Sequence, residues 1–316
     1  MNDIGEKINL FIPDYAERVQ SIISGTYKLA YYTSADTAMK IIQNNEIWLR
    51  NARGMNDYSE VEHGFQSFRE ALIESDEGKS FQKYITSNLP NVLDTLIKNF
   101  DGWLPSIRQQ TYLACLSEHE NSDDDHGRLS MWRAYGGKKS VALIFNSKPF
   151  TNDTDALETK FYPVTYRNSD YVRQYLHDLE TRMREKNDIV RTMDSGELLS
   201  WLFELCKMMV LCVKHPGFRE EREWRLVYSP EYEKSPHVLG SIESIDGVPQ
   251  QVYKIRFQNM PDKNLTNATL PECLDRVIIG PSDDAPLLID SFKKMLTEAG
   301  VQNASEKVFY SGIPLR

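Results

Sequence analysis

Basic charge is what this chain of 316 residues has too little of: 37 Lys and Arg stand against 46 Asp and Glu, a formal net charge of -9. A nucleic-acid-binding surface normally shows a basic face or stripe, so a generally basic exterior is excluded, although a narrow basic groove is not. Cysteine is scarce too. Cys115, Cys206, Cys212 and Cys273 form no C-x-x-C pair and sit in apolar neighbourhoods, which points to buried thiols rather than disulfides or zinc. No apolar run approaches the roughly 20 residues that span a bilayer. The opening MNDIGEKINLF has no basic region followed by an apolar one, so no secretory leader is expected. A cytoplasmic, reduced protein with no membrane partner is the expectation. With no repeat and no low-complexity linker, one domain over 1–316 is expected.

The chain is 41% hydrophobic, with 13 Phe, 16 Tyr and 5 Trp, enough for a large core. Periodicity predicts a short amphipathic helix at 14–24, a strand at 28–32, a helix at 37–44 behind a polar cap, and a strand at 47–49. Residues 59–99 are mostly helical. Strands follow at 111–116, 140–145 and 157–166, the last interrupted at Pro163. Residues 169–214 form a helical insert, broken near Asp194-Ser195-Gly196 and closed by His215-Pro216-Gly217. The last third predicts strands at 223–228, 252–257, 276–279 and 307–310 with a helix at 285–298. Helices inserted among strands, without strict alternation, make an α+β pattern.

The segment Glu220-Glu221-Arg222-Glu223-Trp224-Arg225 carries the most information. Period-two alternation predicts a strand that aims Glu221, Glu223 and Arg225 at one face. Charges grouped in this way are either paired at a surface edge or used by a site. Tyr31, Tyr32, Thr33 and Ser34 end a strand where a helix begins, a place that presents donors to an anion or simply caps the helix. Arg53, Asn56 and Asp57 have turn chemistry. Trp132 and Tyr135 lie three apart on one helical face, next to Gly136-Gly137. Asp123-Asp124-Asp125-His126 lacks a ligand spacing, so no metal is expected. Gly136-Gly137-Lys138-Lys139-Ser140 lacks the phosphate-loop spacing, and no dinucleotide fingerprint follows a strand.

Taken in order, YYTS (31–34), MND (55–57) with Glu60, CLS (115–117), MWRAYGG (131–137), EREWR (221–225), VIIG (277–280) and SGIP (311–314) resemble the bacterial domain-of-unknown-function family 2971. That family in turn looks like a divergent branch of the ADP-ribosyltransferases. The resemblance covers about residue 28 to the C-terminus. It implies a split β-sheet core with inserted helices and a cleft between two small sheets. NAD would be the co-substrate, with no metal. Glu223 and Glu221 would be catalytic with Tyr135, and Tyr31, with Thr33 two residues on, would replace the family's His. Tyr31, Tyr32, Thr33, Ser34, Arg53, Asn56, Asp57, Trp132 and Arg225 would bind NAD, with Arg50 a further donor for its diphosphate.

By that resemblance the chain would be a toxin or phage-defence effector. Its acceptor would be RNA or another nucleic acid first and protein second, and an antitoxin could restrain it. Arg173, Arg182, Arg184, Lys186 and Arg191 in the insert form the densest basic run, either a target-binding face or a solvated helix surface. A non-enzymatic nucleotide- or protein-binding sensor and an NAD hydrolase are the alternatives.

Overall fold

A computed structural model describes residues 3–54, 58–135, 137, 139–152, 154–167, 170–232, 234–245 and 247–314, with the backbone alone for 58–60, 63 and 108. The chain folds into two compact units. One gathers Met1–Arg18, Ala52–Thr111 and Tyr162–Arg219; the other gathers Val19–Asn51, Tyr112–Phe161 and Glu220–Arg316.

The first unit is helical. Its helices include Asp3–Phe11, Tyr58–Arg69, Asp76–Asn88, Val92–Gln110, Asp170–Glu185, Asn187–Thr192 and Ser195–Leu211. The helix Ser195–Leu211 starts where the sequence predicts, because the Asp194 side chain accepts the Glu197 N–H at 2.8 Å. Phe65, Phe68, Phe100, Trp103 and Phe203 pack ring against ring, so the apolar helix of the insert is buried as its composition requires. The basic run is partly consumed inside this unit. Arg173 pairs with Asp170. The Arg182 Nε–H donates to the Leu10 carbonyl at 2.8 Å and its guanidinium lies over Tyr175. Arg184 pairs with Glu180 at 2.7 Å and covers the Tyr84 ring.

The strands, in chain order, are β1 (Lys28–Ser34), β2 (Glu46–Asn51), β3 (Tyr112–His119), β4 (Ser140–Phe145), β5 (Lys160–Pro163), β6 (Thr165–Tyr166), β7 (Val213–Lys214), β8 (Glu223–Tyr228), β9 (Val238–Ile245), β10 (Val248–Arg256), β11 (Leu274–Ile279) and β12 (Val308–Tyr310). Among the described residues β6 and β7 form a separate parallel pair, and the other ten make one mixed sheet. Its order is β12-β11-β4-β1-β3-β2-β10-β9, with β8 beside β3 and β5 beside β8. β11 and β12 are parallel. This is the expected mixed α+β architecture.

Near β3 the sheet forks. Along one edge, β3 pairs β8 from Tyr112 to Ser117. Along the other, β1 holds only Ser117–His119 and β2 only Tyr112 and Leu113. Residues 114–116 therefore face the place where β1 and β2 part. The helix Asp3–Phe11 and the run of helix to Gln110 depart from the sequence expectation, and two strands do as well. β9 is unforeseen, since Gly240, Ser241, Glu243 and Ser244 give it little strand propensity and only its pairing with β10 makes it a strand. β3 runs on to His119, because β1 supplies partners for its last three residues.

That end of β3 is closed by ion pairs. Asp275 meets Lys28 at 2.9 Å and Arg276 at 2.8 Å. Asp124 meets Arg276 at 3.1 Å and the buried His119 ring at 2.9 Å. Burial holds His119 below its ordinary value of 6.5, against the opposing hydrogen bond with Asp124. A base depressed by folding binds its proton more readily when unfolded. Its stabilising contribution is therefore present above pH 6.5 and lost as pH falls towards the folded value, with a slope of up to about 1.4 kcal/mol per pH unit. The wild-type unfolding free energy should drop as pH falls below 6.5 in urea titrations, and His119→Gln should flatten that drop. Asp275, lowered by Arg276 and Lys28 despite its burial, acts only in a more acidic range, below the ordinary carboxylate value.

Candidate functional site

Glu223 opens β8. Its Cα partner is Ser117 on β3, which in turn pairs Ala30 on β1. Directly opposed residues share a face, so this row and the Cys115–Arg225 row two residues on look the same way. Arg225 Nε donates to Glu223 Oε1 at 2.8 Å, and a second guanidinium nitrogen reaches Oε2 at 3.4 Å. Both side chains are almost fully buried, 1% and 3% exposed. The strand is therefore not the edge strand that an exposed Glu–Arg pair would need. A planar guanidinium gripping both carboxylate oxygens fixes the Glu223 rotamer.

Glu221 is not on the strand, which corrects the expectation of three charges along one face. Arg222 has φ 45, a left-handed conformation that ends the alternation, and Glu221 instead closes the short 3-10 turn Pro216–Glu221. Its carboxylate is held from another direction: the Tyr135 hydroxyl donates to Glu221 Oε1 at 3.2 Å. Tyr135 ends the helix Leu129–Tyr135, as the sequence spacing predicts. The two carboxylates are thus neighbours in sequence but have separate clamps.

Arg128 does most of the positioning, and sequence reasoning missed it. Its guanidinium donates to the Glu220 carbonyl at 2.9 Å, the Glu118 carbonyl at 2.8 Å and the Asp123 carboxylate at 2.9 Å. Its backbone N–H donates to the Tyr32 hydroxyl at 2.9 Å. The available signal was an arginine between an acidic loop and the helical motif. The acidic loop itself is structural: Asp123 serves Arg128, Asp124 serves His119 and Arg276, and His126 Nδ1 bonds the Ser311 carbonyl at 2.7 Å. Among the described residues no group of three or more His, Cys, Asp or Glu is placed to hold a metal.

The aromatic candidates divide. Tyr32 and Trp132 are buried edge to face, 4.7 Å between centroids, and the indole N–H donates to the His126 carbonyl at 2.9 Å. Both rings belong to the cluster formed with Ala30, Met131, Ala142, Ile144 and Ile278. Tyr135 is only partly buried and keeps its hydroxyl in the site. Tyr31 stands on the other side of β1, packed against both flanking apolar clusters at the fork. Burial pushes its phenol up to about 12, with the Arg50 guanidinium pulling the other way and Cys115 adding to the rise. The Tyr32 phenol is likewise raised by burial to about 12.

Ser34 is the cap of helix Ala35–Asn44, accepting the Thr37 N–H at 3.2 Å. Thr33 sits beside it on β1, paired with Val141. Arg53 is exposed in the turn Ala52–Gly54 of the helical unit. Asn56 and Asp57 lie outside the described residues, as does Gly136.

Trp132 explains a distant glycine. A Cβ on Gly280, which follows β11, would lie 2.8 Å from the Trp132 ring and 2.1 Å from Ser140 Oγ. Gly280→Ala should therefore cost about 1–3 kcal/mol in urea unfolding through overpacking; an unchanged midpoint would show that the tryptophan is not fixed there.

Residues 131–226 match the model of a family described as a protein of unknown function (DUF2971), which supports the resemblance to family 2971 over that stretch. The match takes in Trp132, Tyr135, Glu221, Glu223 and Arg225. No curated protein and no solved structure matches the chain.

Proposed function

We propose that this protein is an NAD-dependent mono-ADP-ribosyltransferase, transferring ADP-ribose from NAD to a macromolecular acceptor. The observation that carries this reading is the pair of independently clamped carboxylates: Glu223 held by Arg225 at 2.8 Å, and Glu221 held by the Tyr135 hydroxyl at 3.2 Å. The forked sheet supports it as the counterpart of a split-sheet cleft, while Tyr31 packs on the face of β1 opposite the Ala30–Ser117–Glu223 row.

The chemistry asks for two such groups. The ribose–nicotinamide C–N bond breaks and its electron pair leaves with neutral nicotinamide, while the ribose passes through an oxocarbenium-like state. A carboxylate on the ribose 2′-hydroxyl stabilises that charge, and Glu223 takes this role. A new bond forms from the ribose C1′ to the acceptor, whose proton goes to a general base; Glu221 takes that one. Tyr135 orients Glu221, Arg225 orients Glu223, and Arg50 is a donor suited to a diphosphate. The resemblance alone suggests a toxin or phage-defence role, an RNA or protein acceptor and a restraining antitoxin.

One observation favours a second reading. Glu223 is 3% exposed and engaged by Arg225, as in a buried ion pair that specifies structure, and a non-catalytic nucleotide-binding module would need no more.

Nicotinamide release from labelled NAD, with and without RNA, single-stranded DNA or protein lysate, separates the two. The transferase should release nicotinamide and label one fraction, and Glu223→Gln should reduce both by roughly 10²-fold or more. Labelling that survives this substitution removes Glu223 from the mechanism. Release without any acceptor identifies an NAD hydrolase. No release, with NAD or ADP-ribose still raising Tm, establishes the binding module.

A further inference from the structure

β9 is the outermost strand on its side of the sheet and, among the described residues, pairs only with β10. Free edges in monomeric proteins are usually protected by lysines, prolines, bulges or very short strands. β9 has none of these over its eight residues, Val-Leu-Gly-Ser-Ile-Glu-Ser-Ile. Its one charge, Glu243, is already met by Lys254 at 2.6 Å and by the Ser241 hydroxyl at 3.3 Å. Two of its apolar side chains face solvent, Leu239 at 50% and Ile242 at 65% exposure.

The order of these residues is nearly symmetric about Ile242. One step out lie Ser241 and Glu243, a donor and an acceptor. Two steps out lie Gly240 and Ser244, both small. Three steps out lie Leu239 and Ile245, both apolar. We propose that β9 pairs antiparallel with β9 of a second copy of this chain, across a two-fold axis at Ile242, so that two sheets join into one dimer.

In that register Leu239 of each copy stands opposite Ile245 of the other, and Ser241 opposite Glu243. Directly opposed side chains of this kind are the stabilising unit of a sheet, and the same surface serves both copies, as a two-fold interface requires. Neighbouring registers are worse. An axis at Glu243 sets two carboxylates against each other, and an axis at Ser241 sets Leu239 against Glu243. The one carboxylate on the strand does not stand alone at the contact, because Glu243 shares Lys254 with Glu46, at 2.6 Å and 2.8 Å.

Light scattering on size-exclusion eluate at micromolar concentration should give twice the chain mass for the wild type. Ile242→Lys, which sets two lysines face to face, should give a single-chain mass. Val248→Lys, on exposed β10 outside the symmetric stretch, should stay dimeric and controls for a nonspecific effect of added charge. Ile242 is exposed within a single copy, so the substituted chain should stay folded, with Tm falling only as far as loss of the dimer requires. Opposed Cα atoms in an antiparallel pair lie about 4.5–5.5 Å apart, within disulfide reach. Ile242→Cys should therefore form a covalent dimer on mild oxidation while the wild type does not. A monomeric wild type, or a dimer that survives Ile242→Lys, overturns the proposal. A dimer that Ile242→Cys does not cross-link overturns the register.

Discussion

The Arg128 guanidinium is the constraint on which the rest of the sheet unit depends. From one residue it reaches the end of β3 through the Glu118 carbonyl, the acidic loop through Asp123, and the approach to β8 through the Glu220 carbonyl, while its N–H meets Tyr32 on β1. Five N–H donors in a rigid plane can satisfy several acceptors at once. Lysine, a point charge on a flexible stem, could not hold the same set. Backbone carbonyls left unmet in this half-buried place would each cost about 1–3 kcal/mol, so the loop and the turn before β8 are fixed together.

Fixing that turn is what makes the two glutamates different from each other. The left-handed Arg222 turns the chain between them, so Glu223 enters the sheet and meets Arg225, while Glu221 stays outside the strand and meets Tyr135. Had the strand begun two residues earlier, both carboxylates would have pointed to one face side by side, and like charges at that distance repel. The kink assigns each its own cation or hydroxyl. Two carboxylates in unlike surroundings are what the proposed transfer, with its cationic intermediate and departing acceptor proton, would require, whereas the carboxylates of Asp123 and Asp124 in the acidic loop are engaged by Arg128, His119 and Arg276.

Charge is handled in a similar way throughout. The chain is acidic overall, yet its densest run of arginines is drawn into helix pairs, ring contacts and a backbone carbonyl within the helical unit. Cations that hold helices together are less available to a nucleic-acid backbone. The acidic loop likewise spends its carboxylates on Arg128, His119 and Arg276. Arg173 and Arg184 nevertheless remain largely solvent-exposed, so the arginine run is only partly consumed within the unit.

Legible in the residues alone were the α+β class, the strand at 223–228, the helix carrying Trp132 and Tyr135, a polar cap within 33–36 and a helix break near Asp194. These rest on periodicity and on short-range hydrogen bonds, which neighbouring residues settle between themselves. The sequence also marked Glu223 and Arg225 as a linked pair, since two residues apart on one strand must share a face. Packing across the fold settled that β9 is a strand, that Arg222 turns the chain out of register before β8, that Gly280 must stay small beside Trp132, and that Arg128 ties four segments together. The Gly280–Trp132 contact and the Arg128 bonds to Tyr32 and Glu220 join residues far apart in the chain, which no local window contains, and β9 gains its strand from pairing with β10 and not from its own propensity.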